Sequence, residues 1–233
     1  MQTGVSCLSP KRPWDPRRLH LHQGEGMAID RFTKPALLIV DMQNDFVRVG
    51  APMEVPQARD TISQHQQLIQ HFRESRLPVV YTRFLAGPDR RLLWEFSPKL
   101  APPILACHAG HKRFYTDVHK TLESIGIIDE LAPKPEDIVV DKLGYGAFHG
   151  TKLDDLLRQR AVESLIVTGT VTQICVEETA REAFHYGYKT TVVSDAVSSY
   201  LPDLHASTLK NFALKFGWVS NTSAVLQSLR GRT

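Results

Sequence analysis

Short apolar runs that each close on a polar residue or a glycine constrain this chain more than any other feature. The first, Ala36-Leu37-Leu38-Ile39-Val40, offers no polar side to water and stops at Asp41. Such a run suits a strand buried on both faces of a parallel sheet. Pro78-Val79-Val80-Tyr81-Thr82 is a second strand. Ile138-Val139-Val140-Asp141 is a third, ending at Lys142, and Leu165-Ile166-Val167-Thr168 a fourth, ending at Gly169. Lys189-Thr190-Thr191-Val192-Val193 is a fifth, ending near Asp195, and Trp218-Val219 reads as a short last strand. Helix-spaced stretches fall between them. Residues 58–76 carry Ile62, Leu68, Ile69 and Phe72, and 151–160 carry Leu153, Leu156 and Leu157. Residues 176–185 place Val176, Thr179, Ala180, Ala183 and Phe184 inward, and a last helix spans about 203–214. Alternating strands and helices predict an α/β fold: a doubly wound, mainly parallel sheet flanked by helices in three Rossmann-type layers.

At 233 residues and 42% hydrophobic content, the chain is long enough for one sizeable core. Two domains of unequal kind are expected. Residues 1–33, with Pro10, Pro13 and Pro16 and little periodicity, read as an N-terminal arm, either disordered or packed on a neighbouring subunit through Trp14 or Leu19. Residues 34–233 form the folded domain. Within it, 85–115 contain Gly87-Pro88, Pro98 and Pro102-Pro103, an irregular excursion of the kind that builds lids and pocket walls. The net charge of +3 is spread rather than striped, which argues against a nucleic-acid partner. No apolar run approaches the ~20 residues of a membrane span, and no apolar segment follows the basic N-terminal residues. Cys7, Cys107 and Cys175 are odd in number and widely spaced, against both a disulfide framework and a cysteine-based zinc site. A reducing, cytoplasmic setting is expected.

Ligands in open α/β sheets bind outside the carboxyl ends of the strands. Asp41, Lys142 and Cys175 all fall there. Taken singly, an aspartate at a strand end is a turn former, a lysine is a solvated cation and a cysteine is an inert core residue. Together at one edge they suggest nucleophilic catalysis. Cys175 follows a strand and a tight turn, in the first turn of a helix, where the dipole and a nearby ammonium favour thiolate at neutral pH. The unpartnered N–H groups of that turn can hold an oxyanion.

Three segments carry a resemblance to a known family. Ala36 through Asp41-Met42-Gln43-Asn44-Asp45-Phe46, then Lys142-Leu143-Gly144-Tyr145-Gly146-Ala147-Phe148, then Gly169 through Cys175-Val176 with Thr179-Ala180-Arg181, resemble in order the three motifs of the isochorismatase-like cysteine hydrolases. The similarity covers roughly residues 34–228. It implies that Cys175 attacks an amide or ureido carbonyl, that Asp41 relays the proton, and that Lys142 holds both. It also implies a cis peptide at Thr170–Val171, with the Val171 and Cys175 N–H groups as the oxyanion hole. Family members often carry a small residue where this chain has the β-branched Val171. Gln43 is implied to tie loops together and Phe46 to form a pocket wall.

Nicotinamidases of this fold hold a metal with histidines after the second strand. The stretch 82–90 has no histidine, and His65, His71, His108, His111 and His119 lack the spacing, so no metal or cofactor is expected. Isochorismate hydrolases proper usually lack the cysteine. The resemblance therefore points to the group that cleaves carbamoyl and ureido compounds, a small-molecule amide as the partner, and self-association into dimers or tetramers. Lys215 stands near a position where several such members touch substrate through glutamine. It is either a substrate contact or a solvated lysine at a helix end. Arg83, His111, Arg113 and Tyr115 are candidate lid contacts or plain loop residues. The competing readings are a nicotinamidase or other small-amide hydrolase, a non-catalytic binding member of the fold, and a nucleotide-binding domain. For the last, Gly144-x-Gly146 is too short a fingerprint.

Overall fold

A computed structural model describes residues 30–88 and 90–231. The arm expected over 1–33, with Cys7, Trp14 and Leu19, lies outside the described residues except for its end. There Phe32 is buried in the core and the Thr33 carbonyl accepts the Ser164 hydroxyl at 2.8 Å.

Six parallel strands form the main sheet in the order β5-β2-β1-β6-β7-β8. They are β1 (Pro35–Val40), β2 (Val79–Phe84), β5 (Ile138–Lys142), β6 (Ser164–Thr170), β7 (Lys189–Ser198) and β8 (Trp218–Ser220). A separate antiparallel hairpin, β3 (Lys112–Tyr115) with β4 (Lys120–Glu123), stands in the excursion after β2. The helices are α1 (Asn44–Val47), α2 (Ile62–Glu74), α3 (Arg91–Phe96), α4 (Leu153–Gln159), α5 (Glu177–His185), α6 (Pro202–Lys215) and α7 (Thr222–Arg230).

Every residue of β1 is buried because this strand is central and covered on both sides. Side chains alternate across a strand. Leu37 and Ile39 accordingly join one core with Leu68 and Phe72 of α2 and with Val225, Leu226 and Leu229 of α7. Ala36, Leu38 and Val40 join the opposite core, with Leu153 and Leu157 of α4, Ala180 and Ala183 of α5, and Phe212 of α6. This is the three-layer, doubly wound arrangement expected from the alternation of elements.

The chain runs from β1 outward to β2 and β5, then returns to the other side of β1 as β6. The switch point of the winding therefore lies between β1 and β6, where α/β folds place their ligands. Gly169 makes that junction close. Its φ is +110°, and a Cβ there would run into the backbone of Val40, the residue before Asp41.

Several details depart from the expectations. Helix α7 and the β3–β4 hairpin were not anticipated. Helix α5 starts after a wide turn over Thr172–Val176 rather than at Val176 itself. Phe184, expected inward, is 44% exposed and meets the Phe216 ring edge-on, because α5 presents it toward α6 rather than the sheet.

Candidate active site

Asp41 follows β1 in the left-handed region, with φ 50°. The Thr82 hydroxyl, from β2 alongside, accepts the Asp41 N–H at 3.2 Å and donates to Asp41 Oδ1 at 2.6 Å. Those bonds fix both the strained backbone and the carboxylate. The other carboxylate oxygen, Oδ2, sits 2.8 Å from Lys142 Nζ. Its orientation there makes no well-formed hydrogen bond, so a lone pair remains for a further proton.

Lys142 ends β5, an edge strand separated from β1 by β2. Its side chain must therefore reach across the end of β2, and its Nζ lies 5.3 Å from the centre of the Phe84 ring there. The ammonium donates to the carbonyls of Gly144 at 3.1 Å and Tyr145 at 2.8 Å. Burial pushes its pKa down, but the Asp41 carboxylate foremost, with the Cys175 sulfur adding to it, outweighs this and the net direction is up, so Lys142 stays an ammonium. A buried cation survives only with such partners.

Cys175 lies in the turn between β6 and α5 and is buried, with Asp41 and Lys142 the charged groups that act on its thiol. Burial is the largest influence on its thiol and pushes the pKa above the ordinary value; Lys142 opposes this and Asp41 adds to it. Sequence reasoning pictures a thiolate at rest. The buried setting beside an acid instead keeps the proton on sulfur, which leaves Asp41 as the group positioned to take it. The Thr170–Val171 peptide is cis. The Val171 N–H has no partner among the described residues, while the Val171 carbonyl takes the N–H groups of Ile174 and Val176 at 3.1 and 3.2 Å.

Phe46 is buried on α1, its ring 6.3 Å from that of Phe84, which in turn stacks on Tyr145 at 6.0 Å. These rings form an aromatic wall beside Lys142. Gln43 clamps the end of β2, donating to the Phe84 carbonyl at 3.0 Å and accepting the Phe84 N–H at 2.6 Å. Lys215 does not join this group. It is exposed at the last residue of α6, and α6 runs back from the carboxyl end of β7 to the start of β8. Antiparallel return of the helix therefore places Lys215 at the amino edge of the sheet, away from the other site residues. Arg83 also points elsewhere, pairing with the exposed Asp141 at 2.6 Å.

Two functional side chains escaped sequence reasoning. One is Thr82, the polar residue of a strand otherwise read as structural. The other is Asp45, fully buried, which accepts the Cys107 N–H at 2.8 Å, the Tyr115 hydroxyl at 2.7 Å and Arg113 Nε at 3.1 Å. It pins the excursion onto α1, and burial beside it raises the Tyr115 pKa. Tyr115 and Arg113 thus anchor the excursion through Asp45 rather than standing as free loop residues. Asp45 stands inside the first motif, and that position was the available signal. Among the described residues no group of three or more His, Cys, Asp or Glu side chains is placed to hold a metal.

A parallel sheet with acid, ammonium and thiol buried together at its switch point defines a cysteine-hydrolase class of α/β protein. Residues 35–224 match the isochorismatase domain family, and the chain belongs to it. It is 42% identical over 216 residues to a ureidoacrylate amidohydrolase of Methylobacterium radiotolerans, covering 88% of this chain and 83% of that protein. A cysteine hydrolase from Pseudomonas syringae pv. phaseolicola superposes with a TM-score of 0.77 at 28% identity, over 88% of this chain and 96% of that one. An N-carbamoylsarcosine amidase from Thermoplasma acidophilum gives 0.63 at 30% identity, over 82% and 97%.

Proposed function

We propose that this chain is an amidohydrolase of carbamoyl and ureido compounds that works through Cys175 without a metal. The observation that carries the reading is the fully buried Asp41–Lys142 ion pair at 2.8 Å, with the buried Cys175 thiol under the influence of both charges. The names of the relatives, a ureidoacrylate amidohydrolase and an N-carbamoylsarcosine amidase, supply the substrate class.

Asp41 takes the thiol proton as sulfur attacks the carbonyl carbon. The oxyanion that forms is held by the Val171 and Cys175 N–H groups. Collapse breaks the C–N bond, and the proton on Asp41 leaves with the nitrogen as ammonia or an amine. The thioester remains on Cys175. Water, deprotonated by Asp41, adds to it, the C–S bond breaks, and the thiol recovers its proton. Lys142 stays charged throughout, balancing Asp41 and the thiolate in a buried site where charges are weakly screened. Phe46, Phe84 and Tyr145 give the substrate an apolar wall. Among the described residues no helix is long and apolar enough to cross a membrane. A cytoplasmic location belongs to this same reading, as the setting that keeps a catalytic thiol reduced.

The test is ammonia release from a panel of biuret, triuret, ureidoacrylate, N-carbamoyl amino acids and nicotinamide, with Cys175→Ser as control and EDTA in a parallel series. The expected outcome is turnover of a ureido compound that vanishes in Cys175→Ser and is untouched by EDTA. Turnover that survives the serine would refute the nucleophile, and a loss with EDTA restored by zinc would refute the metal-independent chemistry.

A further inference from the structure

Glu182 sits about two turns along the helix that follows Cys175. Its Oε2 accepts the Phe148 N–H at 2.8 Å. Gly146 lies against the same carboxylate, and a Cβ there would overlap it, with no other atoms as near. Any side chain at 146 would thus push the acid away from Phe148.

The segment seated this way follows Lys142 directly, and its Gly144 and Tyr145 carbonyls are the acceptors of Lys142 Nζ. A chain of contacts therefore runs from the cysteine helix, through Glu182 and residues 144–148, to the ammonium at Asp41. Glu182 makes no hydrogen bond or ion pair with Asp41, Lys142 or Cys175 among the described residues, so any influence on them runs through this loop. The loop's other polar ties run to Thr151, whose Oγ1 donates to the Ala147 carbonyl at 2.6 Å from the turn before α4, and to Ser97, whose Oγ lies 3.3 Å from Tyr145 Oη; neither links it to the cysteine helix.

We infer that Glu182 is a positioning residue: it docks the lysine loop on the cysteine helix and so sets the Lys142 ammonium against Asp41 and Cys175. The inference rests on Lys142 serving as the cation of the proposed reaction. It also explains a glycine at 146, where the close approach of a carboxylate to backbone leaves no room for Cβ.

The test compares Glu182→Ala, Glu182→Gln, Gly146→Ala and the double variant Gly146→Ala/Glu182→Ala in the full chain. Each is assayed for kcat and KM on the substrate found in the panel, and for the pH dependence of Cys175 alkylation by iodoacetamide. Glutamine keeps an acceptor for the Phe148 N–H, so Glu182→Gln stays near the parent. Glu182→Ala lowers kcat by at least about ten-fold with KM little changed, the effect of a small misplacement of a catalytic group. Its alkylation profile moves to higher pH, because an ammonium shifted away from sulfur stabilises the thiolate less. Gly146→Ala reproduces both effects, and the double variant is no worse than the poorer single, since both changes break one coupling.

A Glu182→Ala variant with parental kcat and alkylation profile overturns the inference. So does one that loses only thermal stability, or a double variant whose losses add. The Cys175→Ser control separates the two levels: an active serine variant defeats the proposed reaction itself, whereas a dead one beside an unaltered Glu182→Ala defeats the positioning role alone.

Discussion

Asp41 holds a left-handed backbone that a side chain normally pays about 1–2 kcal/mol to adopt. Thr82 offsets that cost by bonding both the N–H and the carboxylate of Asp41. Valine has the same shape as threonine but neither donor nor acceptor. Thr82→Val is therefore expected to fold and to lose about ten-fold in kcat, the scale of one hydrogen bond to a charged group. Steady-state kinetics beside a circular dichroism spectrum check this, and an unchanged kcat would show that Asp41 needs no such support. Asp41 and Lys142 were legible because each stands at the end of an apolar run, and Cys175 because it lies in the turn that follows one. Thr82 was not, since a threonine within a strand is ordinary until its neighbour across the sheet is known. Lys215 shows the reverse case: of its two readings, the direction of α6 favours the solvated lysine at a helix end.

Helix α2 carries a titratable group in its buried face. His65 Nδ1 donates to the Thr61 carbonyl at 2.7 Å, which leaves Nε2 without a partner among the described residues. Burial pushes its pKa down to about 4, with the Thr61 bond and the Asp195 charge opposing weakly. The native state thus keeps His65 neutral while the unfolded chain protonates it at an ordinary histidine pKa. Between those two values the unfolded state binds more protons, so stability falls as pH drops and the loss levels off below about pH 4. Relative to a His65→Gln variant, the parent is expected to lose about 2–3 kcal/mol between ~pH 7 and ~pH 4.5 in urea titrations. Parallel slopes for the two proteins would refute the assignment. At this scale the buried strands and helices were readable from periodicity. Helix α7 was missed although Asn221 caps it, its Oδ1 accepting the Ala224 N–H at 2.8 Å, and Val225, Leu226 and Leu229 have helical spacing. The β3–β4 hairpin was missed because its strands are mostly exposed and carry little apolar pattern.

For the whole molecule, the exposed apolar side chains bear on assembly. Leu92 and Phe96 of α3 are 76% and 79% exposed, and the edge strand β5 leaves Val139 and the adjoining Leu143 open to solvent. Such surface, beside an unpaired strand edge, favours association. We expect the chain to self-associate as a closed dimer or tetramer. Light scattering at micromolar concentration should return a multiple of the chain mass, and a monomer mass would dismiss the expectation. The amino-acid sequence by itself determined the layered α/β class and the polar residues at its strand ends, because burial on both faces writes itself as uninterrupted apolar runs, and its three ordered motifs pointed to the family. Only the tertiary structure decided which polar residues meet. Asp45 and the excursion, Thr82 and Asp41, and Glu182 and the lysine loop lie 34 or more residues apart in the chain. Strand order and helix direction bring them together, and no local pattern encodes either.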